Sequence, residues 1–145
     1  MGVRPQSQLS LTAAYPTYRR IGEKLSTTII GRLTRDPEIR FTNSGKAVCN
    51  FSIAVNKKKG DEDYVSFFDC TAWGTQAEGV FASLHKGDRA VVNGSLAQER
   101  WEKDGQKFSK IVLTADNVGP DLRFATAVVH QTDNKTKAQE PEEDF

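Results

Sequence analysis

Between Tyr64 and Trp73 the chain places aromatic side chains where a strand would leave them wet. Read with a period of two, Tyr64, Ser66, Phe68, Cys70 and Ala72 make a mostly apolar side. Val65, Phe67, Asp69, Thr71 and Trp73 make the other. Phe67 and Trp73 thus share a face with Asp69 and Thr71. Large aromatics on a polar face suit a flat ligand, because every nucleobase has a π-face. Trp73 alone, beside Gly74, serves equally well as a roof over the end of a barrel; with Phe67 the stacking reading gains.

Trp101 lies in a charged stretch, with Arg100, Lys103 and Lys107 around it. Basic groups about an aromatic are what a surface for stacking bases and holding phosphates requires. Lys57, Lys58 and Lys59 form a second basic finger, partly neutralised by Asp61, Glu62 and Asp63, and such a run is often no more than a solvated loop. Three stacked bases would supply about 3–9 kcal/mol gross. Phosphate contacts on a single strand add affinity that falls with salt at a log–log slope of about −0.7 each. Neither contribution reads base edges. The ligand these residues imply is single-stranded nucleic acid of any sequence.

Catalysis and metal binding have no comparable support. There is no H-x-E with P-C-x-x-C, no evident nucleophile–base pair, and the acids at 61–63 sit in a loop rather than a pocket. Cys49 and Cys70 lack metal spacing, and His85 and His130 are remote from them and from each other. The cysteines read as reduced, buried thiols. No enzyme, metal or cofactor is expected.

The elements that must position these residues are short strands. Ile29, Ile30 and Leu33 belong to a first strand that Arg35-Asp36-Pro37 ends. Ala47, Cys49, Phe51, Ile53 and Val55 alternate with Asn50, Ser52 and Asn56 in a second. Residues 57–63 read as an exposed loop, and Tyr64 to Trp73 as a third strand. Thr75-Gln76-Ala77-Glu78 has the capping-box pattern, with Ala77, Val80, Phe81 and Leu84 following at helical spacing and Lys86-Gly87 as the stop. Arg89 to Trp101 and Phe108 to Val118 are two more strands, joined by an Asp104-Gly105 hairpin turn. Arg123 to His130 reads as a last short strand. Three strands, one short helix and two strands predict an all-β, five-stranded OB-fold, a Greek-key barrel, over residues 25–130. Gly94 fits the bend or bulge such a barrel needs.

The 145 residues suffice for one domain with tails. No apolar run approaches the roughly 18 residues of a membrane helix, so a soluble protein is expected. The net charge of +1 hides an asymmetry. Residues 131–145 set Lys135 and Lys137 against Asp133, Glu140, Glu142, Glu143 and Asp144, a net −3. Residues 1–130 hold 18 basic and 14 acidic groups, a net +4. A basic body with an acidic tail hints at a polyanionic ligand and a separate role for the tail. Residues 1–24 hold Arg4, Arg19 and Arg20 and no acid before Glu23. They read as a disordered arm rather than a mitochondrial transit peptide, since Pro16 interrupts any amphipathic helix.

Several ordered blocks resemble a known family. They are Thr28-Ile-Ile-Gly-Arg-Leu-Thr-Arg-Asp-Pro-Glu-Ile-Arg-Phe41, Gly45-Lys-Ala-Val-Cys-Asn-Phe51, Leu84-His-Lys-Gly-Asp-Arg89 and Asn93-Gly-Ser-Leu96. Across about residues 25–130 they are similar to the bacterial single-stranded DNA-binding proteins, and Gly119-Pro-Asp-Leu-Arg-Phe-Ala-Thr-Ala127 resembles the actinobacterial branch and its phage relatives. The resemblance implies a homotetramer of OB-folds acting on single strands in DNA replication, recombination and repair, in the bacterial cytoplasm or that of a phage host. It puts Phe67, Trp73 and Trp101 at base-stacking positions, and Arg32, Arg40, Lys57, Arg100 and Lys103 along the strand path. Lys59 stands where many members have a further aromatic. Pro141-Glu-Glu-Asp-Phe145 resembles the family's acidic tip, which implies that Glu142, Glu143, Asp144 and Phe145 dock replication and repair proteins. A different reading is an OB-fold used mainly for protein assembly, as in primosomal relatives; the aromatics retained here argue against it.

Overall fold

The computed structural model describes residues 23–132. The arm read at residues 1–24 lies almost wholly outside them, as does the acidic tip Glu142, Glu143, Asp144 and Phe145. In chain order the elements are β1 (Leu25–Leu33), β2 (Glu38–Phe41), β3 (Ala47–Lys59), β4 (Glu62–Trp73), α1 (Thr75–Ser83), β5 (Arg89–Lys103) and β6 (Gln106–Pro120).

The strands lie in the order β1-β5-β6-β4-β3-β2, and β1 also pairs with β3 through Arg32–Ala54 and Leu33–Ile53. That extra pairing closes β1, β3, β4, β5 and β6 into the five-stranded barrel expected, with the helix after its third strand. Among the described residues only β4 and β6 pair in parallel. Closure brings backbones close. A Cβ on Gly31 would come 2.2 Å from the Ala54 carbonyl oxygen, and one on Gly94 would come 2.0 Å from that of Thr114. Gly94 also sits at a register shift between β5 and β6. Glycine is the residue that permits both approaches.

Inside the barrel Leu33, Cys49, Phe51, Ile53, Val92 and Leu113 are buried, and Ala77, Val80 and Leu84 from the α1 segment plug one end. Burial pushes the Cys49 thiol up to about 11. It pushes Cys70 up to about 12, with the neighbouring Asp69 carboxylate adding to the rise. Both cysteines are free, as expected.

Several local expectations are corrected. The segment 57–63 is no loop: β3 and β4 run on as a two-stranded ribbon to Lys59 and Glu62, turning at Gly60-Asp61 with Gly60 at φ 66°. Glu38–Phe41 adds a short strand outside the barrel, paired with Ala47–Asn50. On β3, Val48 and Ser52 are buried although they point outward. That strand has neighbours along both edges, so adjoining side chains cover both its faces. Tyr64, expected inside, is exposed on the ribbon beyond the barrel wall. The helix starts one residue earlier than the capping-box reading placed it: Gly74 is its N-cap. Phe81, expected on its buried side, is exposed. Arg123 to His130 forms no strand. The ladder ends at Pro120, which has no N–H to continue it. Beyond it the chain is tied back by the Asp121 N–H donating to the Arg89 carbonyl and by an Arg89–Asp121 ion pair at 2.6 Å.

Candidate nucleic-acid interface

Strand register decides which side chains share the outer wall. On β4 the alternation from Ser66 to Trp73 sends Cys70 and Ala72 inward and Phe67, Asp69 and Trp73 outward. Across β3, Trp73 faces Val48, Thr71 faces Asn50, and Phe67 faces Ala54. Pairing continues from Val48 to Arg40 on β2 and from Ala54 to Arg32 on β1. On the other side Asp69 and Thr71 lie beside Val112 and Thr114 of β6. Two residues before Val112 comes Lys110, opposite Glu99 of β5, and two before that Phe108, opposite Trp101.

Phe67, Trp73 and Trp101 therefore lie on one side of the sheet, 67%, 42% and 44% exposed. Trp101 does not stand alone. Its ring stacks on Phe108 with centroids 5.6 Å apart and planes 18° from parallel, and Lys110 Nζ lies 5.9 Å from the Trp101 centroid. At the opposite end Lys46 Nζ lies 5.3 Å from the centre of the Trp73 ring. Each of these tryptophans thus carries a cation beside its ring, the pairing that a base and its phosphate would meet together.

The basic candidates divide between two sides. Arg40 falls in the Trp73 row and Arg32 in the Phe67 row, where Arg32 Nη1 donates to the Gly87 carbonyl at 2.9 Å. Lys103 has the parity of Trp101, and Lys58, opposite Asp63, has that of Phe67. Lys57 and Lys59 turn to the other side of the ribbon with Tyr64 and Glu62. Arg100 and Lys107 turn away from Trp101, and Arg100 Nη2 donates to Gln98 Oε1 at 3.1 Å. The three consecutive lysines are thus not one finger: alternation separates them.

Sequence reasoning missed Phe108, Lys46, Lys110 and Asn50. Phe108 was within reach, since pairing outward from the Asp104-Gly105 turn sets it opposite Trp101. The turn has the predicted form, with φ of 54° and 80° at its two residues. Lys46 had no such signal: it lies two positions before Val48, opposite Trp73, but the β3–β4 pairing that sets this runs through residues 57–63, which show no hydrophobic period.

Among the described residues no group of three His, Cys, Asp or Glu side chains is placed to hold a metal ion. No helix among them is long and apolar enough to cross a membrane. A cavity of about 270 Å³ opens in the outer wall beside Trp73, walled in part by Arg35, Arg40, Asn50 and Thr71.

Comparison with known proteins identifies a family. The model of the single-strand binding protein family matches residues 25–121. A protein of Treponema pallidum named single-stranded DNA-binding protein is 46% identical over 94 residues, 62% of this chain and 53% of its own length. Proteins of the same name from Paenarthrobacter aurescens and Mycolicibacterium smegmatis are 42% and 39% identical over 113 and 112 residues, 72% of this chain in each case. Those matches cover 66% and 68% of the relatives, so the chain spans about half to two thirds of their length. The chain belongs to the single-strand binding protein family.

Proposed function

We propose that this chain binds single-stranded DNA of any sequence, stacking bases on Phe67, Trp73 and Trp101 and holding phosphates with the arginines and lysines around them. The observation that carries the reading is the register that turns all three aromatics to one solvent-facing side, with Lys46 and Lys110 against the two tryptophans. Stacking tolerates any base, and paired bases present no free π-face, so the surface selects single strands by geometry. The protein acts by binding, without a chemical step.

Its place is in DNA replication, recombination and repair, in the cytoplasm of a bacterium or of a phage host. It works there as a homotetramer. Support for self-association comes from the outer side of β1 and β5, where Ile30 is exposed beside a ladder of amides. Asn93 Nδ2 donates to Thr28 Oγ1 at 2.8 Å and Asn117 Nδ2 to Asn93 Oδ1 at 3.4 Å. The acidic segment Glu142 to Phe145 recruits replication and repair proteins.

Titration with oligo-dT while tryptophan fluorescence is followed tests the binding reading. Strong quenching with little competition from duplex is the expected result; equal affinity for duplex and single strand would overturn it. Removing Asp144 and Phe145 is expected to leave that titration unchanged and to abolish capture of partner proteins. Unchanged capture would refute the role given to the tip.

A further inference from the structure

One end of the barrel is plugged and the other is open. Ala77, Val80 and Leu84 close the end at which β3 and β5 begin. At the opposite end no element covers the strands among the described residues. Leu25, Tyr64 and Ile111 stand there 64%, 46% and 51% exposed. Register groups them. Leu25 pairs with Leu96 and Leu96 with Leu113, while Ile111 lies two positions before Leu113 on the same face of β6. Tyr64 reaches this end along β4, with the parity of the buried Cys70. Val55 and Leu96 lie half-buried against the core between them.

An apolar mouth gains from a cover, because burial is favourable in proportion to the area taken from water. Two segments of this chain lie outside the described residues, and the places where they join the barrel separate them. Thr132, where the acidic segment begins, lines cavities with Thr75 and Gly79 at the plugged end. The arm instead joins at Glu23, two residues before Leu25, at the mouth itself. An extended chain spans up to about 3.3–3.6 Å per residue, so the arm needs only its nearer part to cross the opening. That part holds Leu9, Leu11, Tyr15, Tyr18 and Ile21. The family match begins at residue 25, so the arm is outside the shared barrel.

We propose that residues 9–21 fold back over this mouth within the same chain, seating Tyr18 and Ile21 against Leu25, Tyr64 and Ile111. The arm then does at this end what the α1 segment does at the other. Tyr64 belongs to the β3–β4 ribbon and Ile111 to the base of the β5–β6 hairpin, so a cover touching both fixes the two against each other.

Ile111→Cys puts a thiol in the mouth of the full chain, and its rate of labelling by a maleimide reports the cover. Ile111 is exposed, so the core is untouched, and the buried Cys49 and Cys70 stay silent. Labelling is expected to be slower by about tenfold or more than in the same protein begun at Glu23, since a covered thiol reacts only when the cover opens. Tyr18→Ser with Ile21→Ser in the full chain is expected to release it equally. Equal rates with and without the arm overturn the proposal. Lys57 and Lys59 share the Tyr64 side of the ribbon and would attract acids. Faster labelling on removal of residues 133–145 alone would therefore give the mouth to the acidic tip and overturn the arm. Oxidation of a Tyr18→Cys, Ile111→Cys protein is expected to join the two positions within one chain, leaving monomer mobility on a denaturing gel. A link between two chains overturns the same-chain seat.

Discussion

Replacing Trp101 by alanine isolates stacking from charge. Trp101 sits on the β5–β6 hairpin, and Phe108 covers one face of its ring. At most the opposite face is left for a ligand, so one base is the most that it stacks. Losing one stacked base costs about 1–3 kcal/mol, a rise in Kd of about 5- to 150-fold. The Trp101–Phe108 pair itself contributes about 0.5–1.5 kcal/mol, in a ribbon remote from the barrel core, so the fold should survive. Indole carries no charge, and the log–log salt slope should therefore stay where it was, at about −0.7 per phosphate contact. The assay is anisotropy of a labelled oligo-dT across a salt series, with Trp101→Phe as the control that keeps a ring. Trp73 is then the single remaining tryptophan, and its quenching reports whether the other end of the face still engages. Affinity within twofold of the parent, or a flatter salt slope, would refute the assignment of Trp101 to stacking.

Charge behaves in the opposite way. Lys110→Ala should flatten the salt slope by about 0.7, while Lys107→Ala, on the far side of the hairpin, should change it much less; equal effects would show that strand parity does not govern phosphate contact. Gly94→Ala forces a methyl within 2.0 Å of the Thr114 carbonyl oxygen, and overpacking of this kind costs about 1–3 kcal/mol or more, measurable by chemical denaturation. The thiols make stability depend on alkali. With Cys49 raised to about 11 and Cys70 to about 12 from an unfolded value of 9.0, the native state holds protons that the unfolded chain has released. The stability they contribute is complete below pH 9 and is lost as pH rises through 11 and 12, at up to about 1.4 kcal/mol per pH unit for each thiol. Denaturation curves at pH 8, 9 and 10 should show the decline, and a Cys49→Ala, Cys70→Ala protein should lack that share of it.

The barrel was legible because its strands alternate cleanly and its turns announce themselves. Ala47 to Ile53 has an apolar residue at every second position, and Asp104-Gly105 is a turn that few other conformations accommodate. What stayed hidden was decided by partners distant in sequence. Val48 and Ser52 are buried because β1, β2 and β4 flank β3 on both edges, a fact that no window of β3 contains. Gly74 pre-empts the capping box because its own backbone, at φ 67° and leading out of β4, starts the helix before the Thr75 pattern applies. The ribbon at 57–63 was missed for the opposite reason. Its lysines and acids have no buried face, so there is no hydrophobic period to see, and continuing β3–β4 hydrogen bonding extends the pair instead.

The candidate site repeats the same division at a finer scale. Residue types alone selected Phe67, Trp73 and Trp101, because large aromatics among charges are uncommon enough to stand out. Cations are not, and sequence proximity proved a poor guide to them. Arg100 and Lys107 adjoin Trp101 and its partner Phe108 in the chain or across the hairpin, yet alternation turns them away. Lys110, nine residues from Trp101 in sequence, comes to its ring because two positions along β6 restore the parity of Phe108. A hairpin of known turn type fixes these pairings completely, so the step from Asp104-Gly105 to Phe108 and Lys110 needs only counting. The step from Lys46 to Trp73 is the same two-position step, from Val48 along β3, but the β3–β4 turn at Gly60-Asp61 that fixes the count lies in a segment read as a loop. A face of this kind is therefore readable from sequence along a hairpin whose turn is recognised, as at Asp104-Gly105, and unreadable where the turn is hidden, as at Gly60-Asp61. What no single hairpin contains is the cavity beside Trp73, whose walls come from β2, β3, β4, β5 and β6 together.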